Sequence, residues 1–266
     1  MITMIKSKNG VCHLKSRYYQ YLIMWQIIVS ILCWVVIITS TALFAIAIIV
    51  TAFLLYPFDR NRSAAHQIAC WWGRSFFTLS PGWKLRIQGR GFIRRHQAYV
   101  LVANHASMSD IMSIFCLNRP FKWVAKDSLF CIPFFGWAMS ALGYIRLVRG
   151  EHGSIRDSMK QAHDWLVKRH VSVLFFPEGT RSKTGELGTF KQGAFKLAIQ
   201  TGIPIVPIVL AGTQKALQKG SFVLASGIIC RVKVLKPIET RDYQAKEAVQ
   251  LSMLVKSRME EALGTR

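Results

Sequence analysis

An uninterrupted apolar run dominates the first quarter of the chain. Between Tyr18 and Phe58 there is no charged residue, no histidine and no glycine, and Pro57 is the one proline. A helix needs about 20 apolar residues to cross a bilayer, and this run is roughly twice as long. It is also longer than the core of a signal peptide, which is about 7–15 residues. We therefore predict a retained membrane anchor rather than a buried helix of a soluble protein.

Two geometries fit this anchor. It is either one long helix or two segments that turn near Thr39–Thr41. Basic residues flank the run on both sides, so the positive-inside rule places both flanks on the cytoplasmic face. They are Lys6, Lys8, Lys15 and Arg17 before the run, and Arg60, Arg62 and Arg74 after it. This symmetry favours a re-entrant or hairpin anchor over a single crossing.

The next stretch, "IACWWGRSFFTLSPGWKLRIQGRGFIRR" (residues 68–95), alternates aromatic residues with arginines. Tryptophan favours the head-group layer of a membrane, and arginine favours lipid phosphate. The pattern predicts an interfacial helix, and an amphipathic helix packed on the following domain fits it as well. We place the anchor and this helix in residues 1–82 and a globular domain in residues 83–266.

From Lys84 onward, short runs rich in β-branched residues alternate with helical segments. The predicted strands are Lys84–Gln88, Tyr99–Ala103, Lys122–Ala125, Tyr144–Val148, Val171–Phe176, Ile205–Ala211 and Cys230–Leu235. The predicted helices are Met108–Leu117, Phe134–Leu142, Ser154–Lys168, Gly193–Thr201 and Ala245–Leu263. This alternation predicts an α/β fold with a mixed central sheet flanked by helices.

Charge and cysteine content narrow the class of partner. The net charge of +22 attracts anionic surfaces, of which nucleic acid and lipid head groups are the common ones. No nucleic-acid-binding motif is present, so the apolar anchor favours lipid and no nucleic acid is expected. The six cysteines lack C-x-x-C and zinc-finger spacing, which indicates reduced, mostly buried thiols in a cytosolic setting. Cys116 is a candidate nucleophile near His105, although an apolar helix position is the commoner role.

The stretch "NHASMSD" places His105 and Asp110 at the junction of a predicted strand and a predicted helix. One interpretation is structural: Ser107 caps the helix and Asp110 completes a capping box. The other is catalytic. A carboxylate that accepts from one imidazole nitrogen fixes the tautomer, and the other nitrogen then acts as a base toward an alcohol. No G-x-S-x-G elbow accompanies the pair, so the activated hydroxyl would belong to a substrate.

Two further stretches carry groups suited to a phosphate. In "FPEGTRS", Gly179 permits close backbone approach, and the Thr180 hydroxyl and Arg181 guanidinium suit phosphate oxygens. The alternative is a surface turn with a solvated arginine. In "KWVAKDSLFCIPFFGWAMSALGYIRLVRG", an apolar middle suits an acyl tunnel or an ordinary core. Its basic ends suit phosphate and comprise Lys122, Lys126, Arg146 and Arg149.

Together these stretches resemble the glycerolipid acyltransferase family, specifically the 1-acyl-glycerol-3-phosphate (lysophosphatidic acid) acyltransferases. Four blocks match in order over residues 84–237. They are "NHASMSD"; "KWVAKDSLFCIPFFG" running on to "GYIRLVRG"; "FPEGTRS" with "FKQG" behind it; and "IPIVPI". An N-H-x-x-x-x-D followed by "FPEGTRS" at this separation is highly specific.

The resemblance implies roles for particular residues. His105 is expected to be the base and Asp110 its orienting partner. The acceptor-phosphate site is expected to comprise Glu178, Gly179, Thr180 and Arg181, with Arg149 and Lys126 as further contacts. Two positions depart from the family pattern: Val148 stands where an acidic or amide residue is common, and Asp127 stands where glutamate is usual. These departures put the identity of the acceptor in doubt and leave the chemistry intact.

The resemblance also implies the reaction. A fatty acyl group would move from a thioester of acyl carrier protein or of coenzyme A to the 2-hydroxyl of 1-acyl-glycerol-3-phosphate, giving phosphatidic acid. No bound cofactor, metal or covalent enzyme intermediate is expected. The expected location is the bacterial inner membrane, with the catalytic domain on the cytoplasmic face. The alternatives are a related acyltransferase with another lysolipid or aminolipid acceptor, and a non-enzymatic lipid-binding relative.

Overall fold

The centre of the protein is a seven-stranded sheet. The computed structural model describes residues 8–80, 82–182, 185–216 and 222–264. The strands are β1 (Lys84–Gln88), β2 (Val100–Ala103), β3 (Phe121–Lys126), β4 (Ile145–Leu147), β5 (Ser172–Phe175), β6 (Ile205–Ala211) and β7 (Ile229–Val234). Their order across the sheet is β1-β7-β6-β2-β5-β3-β4. Strands β2 to β6 run in one direction, and β7 and β1 run in the other. The predicted mixed α/β sheet is confirmed.

Helices cover both faces of this sheet. They are α1 (Lys8–Leu54), α2 (Ser63–Leu79), α3 (Ser109–Phe115), α4 (Phe135–Ala141), α5 (His152–His163), α6 (Gly193–Thr201), α7 (Thr213–Ala216) and α8 (Ala248–Gly264). Every side chain of β2 is buried, as expected for a central parallel strand. Leu101 and Ala103 pack in a core shared with α1 to α4, whereas Val100 and Val102 pack in the core of α6 and α8.

The anchor is one continuous helix, so the favoured hairpin was wrong. Helix α1 passes through Thr39–Thr41 without interruption. The hydroxyl of Thr41 donates to the carbonyl of Ile37, and that of Thr39 donates to the carbonyl of Val35. Because these hydroxyls are satisfied inside the helix, and no glycine or proline is present, nothing forces a turn. The predicted basic flank begins at Lys6, which lies outside the described residues.

One side of α1 packs against the globular part of the chain. Ile37, Ala45 and Ile48 are buried, and Thr41 accepts a hydrogen bond of 3.1 Å from the indole of Trp72. The opposite side is apolar and exposed, with Leu43 at 69% and Phe53 at 79% of full exposure. Met24–Leu54 is long and apolar enough to cross a membrane by length and composition. The helix therefore joins the protein core to an uncovered apolar surface.

Helix α2 contains the first part of the predicted interfacial stretch, and its inner face packs against α1 and α3. Trp72, Phe76 and Phe77 are buried, whereas Trp71 is exposed. Gly73 permits the close crossing of α2 over α3, since a Cβ there would lie 2.6 Å from the Cβ of Phe115. Because α1 and α2 share one apolar core with the strands, the proposed boundary between residues 82 and 83 divides the sequence and not the core.

Candidate active site

The predicted site residues lie along one edge of the sheet. His105 follows β2, Glu178 follows β5, Lys126 ends β3 and Arg149 follows β4. These four strands are parallel, so their carboxyl ends meet at the same edge. Ligands of open α/β sheets bind at this edge. The topology therefore gathers groups that are far apart in the sequence.

His105 and Asp110 form a hydrogen-bonded pair. Nδ1 of His105 lies 2.8 Å from Oδ2 of Asp110, whose side chain is completely buried. The histidine side chain remains 19% exposed. A buried carboxylate accepts hydrogen bonds, so it places the proton on Nδ1 and leaves Nε2 as a free acceptor. This pair is able to take a proton from a hydroxyl group.

The same carboxylate oxygen also holds the turn that carries the histidine. It accepts the backbone N–H groups of Ala106 and Ser107, each at 2.7 Å. The predicted capping box forms only in part, because helix α3 begins at Ser109 and the Ser107 hydroxyl accepts the N–H of Ser109 instead of Asp110. The capping and orienting interpretations of Asp110 are thus compatible within one geometry.

Glu178 joins this turn to the one after β5. Its Oε1 accepts the backbone N–H of His105 at 2.9 Å, and its Oε2 accepts the N–H of Gly188 at 3.0 Å. The N–H of Ser182 donates to the carbonyl of His105 at 2.8 Å. Both carboxylate oxygens therefore bind backbone, which favours a positioning role for Glu178. Its predicted place among the phosphate ligands stays a prediction.

Aromatic stacking fixes the imidazole from a second direction. The rings of His105 and Phe176 are stacked with centroids 4.4 Å apart, and Trp123 meets Phe176 edge to face at 6.3 Å. Sequence reasoning assigned Phe176 to a strand and missed this contact. The contact joins residues 71 positions apart, so no local spacing indicates it.

The turn after β5 presents basic and hydroxyl groups. Gly179 has a φ of +70°, and a Cβ there would lie 3.0 Å from Cε of Lys191. Lys191 itself is anchored through its backbone N–H, which donates to the carbonyl of Pro177. Thr180 is exposed and Arg181 is half-buried. Lys191 was not predicted as a site residue, although the "FKQG" block that contains it was recognised.

The basic ends of the stretch from Lys122 to Gly150 divide between two environments. Lys126 and Arg149 are exposed at the carboxyl edge. The predicted phosphate role of Lys122 was wrong, because this residue is buried and its Nζ donates to the carbonyls of Asn61 and Leu142. Burial lowers the pKa of Lys122 to about 7. Arg146 pairs with Asp127 at 3.4 Å.

A narrow apolar cavity lies between α1, α2 and α4. Its volume is about 30 Å³. The lining is mostly apolar and comprises Thr41, Phe44, Ala45, Ile48, Ala69, Trp72, Phe115, Trp123, Phe135, Ala138, Met139, Leu142 and Tyr144. Part of the predicted tunnel stretch thus lines a cavity, and part forms ordinary core.

The cysteines fit the interpretation as core residues. Cys70, Cys116 and Cys230 are buried and free, whereas Cys131 is exposed. Burial raises the pKa of the Cys116 thiol to about 12. A thiol is a poor nucleophile until it ionises. This environment disfavours the alternative in which Cys116 attacks a substrate.

Comparison with known proteins identifies close similarities. An acyltransferase family model matches residues 84–211. The chain is 39% identical over 211 residues to a chloroplast 1-acyl-sn-glycerol-3-phosphate acyltransferase of Brassica napus, covering 78% of this chain and 60% of the relative. It is 36% identical over 171 residues to the 1-acyl-sn-glycerol-3-phosphate acyltransferase of Saccharomyces cerevisiae, covering 62% and 55%. The chain thus spans less than two thirds of each of these two relatives.

The fold is also known from a crystal structure. The 1-acyl-sn-glycerophosphate (LPA) acyltransferase of Thermotoga maritima superimposes with a TM-score of 0.73 at 24% identity. The match covers 91% of this chain and 98% of the other. At this level of identity the similarity establishes the fold.

Proposed function

We propose that this chain, which an acyltransferase family model matches over residues 84–211, transfers a fatty acyl group from a thioester to the 2-hydroxyl of 1-acyl-glycerol-3-phosphate. The observation that carries this proposal is the His105–Asp110 pair, which lies at the carboxyl edge beside basic side chains. The product is phosphatidic acid. The names of the relatives support this acceptor.

The reaction proceeds through a single acyl transfer. Nε2 of His105 takes the proton of the acceptor hydroxyl as its oxygen attacks the thioester carbonyl, forming the new C–O bond. The C–S bond then breaks, and the thiol leaves with the proton returned by the imidazolium. Asp110 keeps the proton on Nδ1 and stabilises the positive charge on the ring. No covalent bond forms between enzyme and substrate at any stage.

Basic groups beside the pair bind the acceptor phosphate. Arg181 offers a planar fork that matches two phosphate oxygens, and Thr180 offers a hydroxyl. The Lys191 side chain, from the segment before α6, lies against Gly179 and adds a positive charge. Arg149 and Lys126 provide further charge along the edge. Their exposure in the described structure leaves them available to a ligand.

The exposed side of α1 lies in the membrane. Contacts with the globular part extend from Ser30, which accepts the N–H of Leu224, to Ala52. At about 1.5 Å per residue this packed segment is about 33 Å long, similar to the hydrocarbon thickness of a bilayer. A segment that packs on protein along one side for its whole length is not free to cross the bilayer. The helix therefore rests on one leaflet, with its exposed face in lipid.

In this placement the carboxyl edge of the sheet, which carries His105, faces an acceptor lipid in the membrane. The placement keeps both ends of the anchor on one side of the bilayer, as the flanking charges predict. The bacterial inner membrane, with residues 83–266 on the cytoplasmic face as the catalytic domain, is the location we propose. Acyl carrier protein and coenzyme A thioesters both remain donors in this proposal.

A direct assay tests the proposal. Purified full-length protein in detergent is given a panel of lysolipid acceptors with each donor, and the products are identified by mass spectrometry. Phosphatidic acid formed from 1-acyl-glycerol-3-phosphate, faster than any product from other acceptors, supports the assignment. If the protein prefers a lysolipid without a phosphate monoester, it is an acyltransferase for a different class of acceptor. No product from any combination would refute the enzymatic function.

A further inference from the structure

A second pocket lies at the opposite edge of the sheet from His105. Its volume is about 420 Å³, within the range typical of small-molecule sites. Residues that lie just before the strands form its walls. Pro120 directly precedes β3, and Val171 directly precedes β5. The full lining comprises Asn61, Ser63, His66, Gln67, Arg95, His96, Asn118, Arg119, Pro120, Arg169, His170 and Val171. None of the residues considered above for acyl transfer is among them.

The described lining of this pocket is basic and contains no carboxylate. Arg95, Arg119 and Arg169 carry positive charge, and His96 and His170 add titratable imidazoles. The pKa of Arg119 is lowered, first by its partial burial and then by the nearby charges of Arg90 and Arg95. The positive charges in this recess repel one another. A bound anion would relieve that repulsion, so the pocket favours an anionic ligand.

Two of the arginines are held in place by the fold. Nε of Arg119 donates to the carbonyl of Ile93 at 2.6 Å. Nη1 of Arg169 donates to the carbonyl of Arg60 at 3.1 Å, and its guanidinium lies over the Trp165 ring. Each guanidinium has five donors, so these contacts fix the side chains and leave other donors for a ligand.

The start of α2 adds no free anion site to this pocket. Its Ala64 N–H already donates to the carboxylate of Asp59 at 2.8 Å. The groups available to an anion in this pocket are therefore the arginine and histidine side chains. Of these, Arg95, His96, Arg169 and His170 are exposed, whereas Arg119 is half-buried.

The chain that leads into the pocket indicates where its ligand comes from. Leu55, Tyr56 and Phe58 follow the end of α1 and are exposed, with Phe58 at 90%. Asn61 and Ser63, only a few residues later, line the pocket. An exposed apolar segment beside a basic recess matches the tail and head group of an anionic lipid. A free anion would gain nothing from the apolar part.

We propose that this pocket binds the phosphate head group of an anionic membrane phospholipid, at a site separate from the acyl-transfer edge. The Arg95 guanidinium contacts the phosphate, and the exposed Phe58 segment lies against the acyl chains. The lipid acts as a bound anchor that holds the amino edge of the sheet on the membrane. This proposal concerns binding and is independent of the catalytic assignment.

Native mass spectrometry of the detergent-solubilised full chain tests this directly. The protein is titrated with phosphatidylglycerol, phosphatidylcholine or inorganic phosphate, and bound molecules are counted. Phosphatidylglycerol is used because it is neither the proposed acceptor nor the proposed product. We expect one phosphatidylglycerol to be retained in preference to phosphatidylcholine, and at least about ten-fold weaker binding of inorganic phosphate.

Matched variants locate the site. Arg95→Gln should weaken retention of phosphatidylglycerol about ten-fold, because a charge-assisted contact is lost. Arg94→Gln removes the same charge from the adjacent exposed position, which does not line the pocket, and should change retention less than about two-fold. Arg181→Gln, at the other edge, should also leave it unchanged. Thermal melts establish that each variant is folded.

Three results would overturn the proposal. Equal losses in Arg95→Gln and Arg94→Gln would indicate diffuse surface charge. Equal retention of phosphatidylglycerol and phosphatidylcholine would show that the phosphate charge is not recognised. If inorganic phosphate bound as tightly as the lipid, the acyl chains would contribute nothing to binding, and the pocket would be a site for free phosphate. None of these results depends on acyl transfer, so a failure here is distinguishable from a failure of the proposed function.

Discussion

Oδ2 of Asp110 lies 2.8 Å from Nδ1 of His105 and also accepts the N–H groups of Ala106 and Ser107. One buried oxygen therefore sets both the conformation of the turn and the tautomer of the histidine. This arrangement limits rotation of the imidazole, and Phe176 stacks against the ring. A substitution of Asp110 can therefore separate its effect on His105 from its hydrogen bonds to the turn before α3.

Asp110→Asn should reduce turnover by about 10²-fold or more, with a modest loss of stability. An amide oxygen in the place of Oδ2 still accepts the backbone N–H groups and the Nδ1–H, but a neutral amide no longer stabilises the positive charge that the imidazole gains when it takes the proton. Initial rates and thermal melts measure the two effects. Asp157→Asn, on the exposed face of α5, is the matched control. Near-normal turnover in Asp110→Asn would leave the residue with the capping role alone.

Glu178→Gln should lower turnover and also lower the free energy of unfolding by about 1–3 kcal/mol. Both carboxylate oxygens accept backbone N–H groups, and an amide supplies only one such acceptor. The apparent affinity for the acceptor should change less than turnover. Steady-state kinetics and denaturant unfolding check this, with the exposed Glu239→Gln as control. A selective rise in acceptor KM at normal stability would instead support a phosphate-binding role.

Arg181→Ala should mainly raise the acceptor KM. A lost charge-assisted contact with phosphate at a half-buried position is worth about 2 kcal/mol, or roughly 30-fold. An acceptor without phosphate should be affected far less. The same surface change at Arg258→Ala, on α8, should have no effect on either acceptor. Equal losses with both acceptors would remove Arg181 from the phosphate site.

Lys122 should make stability depend on pH. Its folded-state pKa is lowered to about 7 by burial, with nearby Arg62 and Arg169 lowering it further and Asp59 opposing them. The unfolded chain therefore binds more protons than the folded chain between pH 7 and about 10.5, so this residue's contribution to stability rises with pH in that window.

The comparison of wild type with Lys122→Met isolates this effect. The difference in unfolding free energy between them should shift by about 2 kcal/mol in favour of the wild type from pH 7 to pH 9. Denaturant melts at several pH values measure it, and Lys196→Met at an exposed position should show no such shift. A pH-independent difference would mean that Lys122 stays charged in the folded protein.

Much of the fold was predictable because the apolar pattern is local. All seven predicted strands are present within about two residues of their observed ends, since β-branched runs bounded by polar turns carry a strong signal. The pairing of His105 with Asp110 was also predictable, because the two residues lie in one strand-to-helix turn. Helix α1 shows the limit of this reasoning, since charge symmetry at its ends suggested a hairpin that its internal hydrogen bonding does not require.

Contacts between distant positions were not predictable from spacing. Glu178 holds the His105 backbone across 73 positions, and Lys122 points into the core toward Asn61, 61 positions away. The basic pocket is assembled from the α1–α2 linker, the start of α2 and the loops before β2, β3 and β5. Each of these features depends on the order of strands in the sheet, and periodicity does not encode that order.

The most direct measurement is acyl transfer by His105→Gln. This substitution keeps the size and polarity of the side chain but removes the base. With 1-acyl-glycerol-3-phosphate and an acyl thioester, mass spectrometry should show phosphatidic acid formation reduced by about 10²–10⁴-fold relative to wild type, in a variant that melts normally and still binds membranes. Phosphatidic acid formed at the wild-type rate by a folded His105→Gln protein would contradict the account.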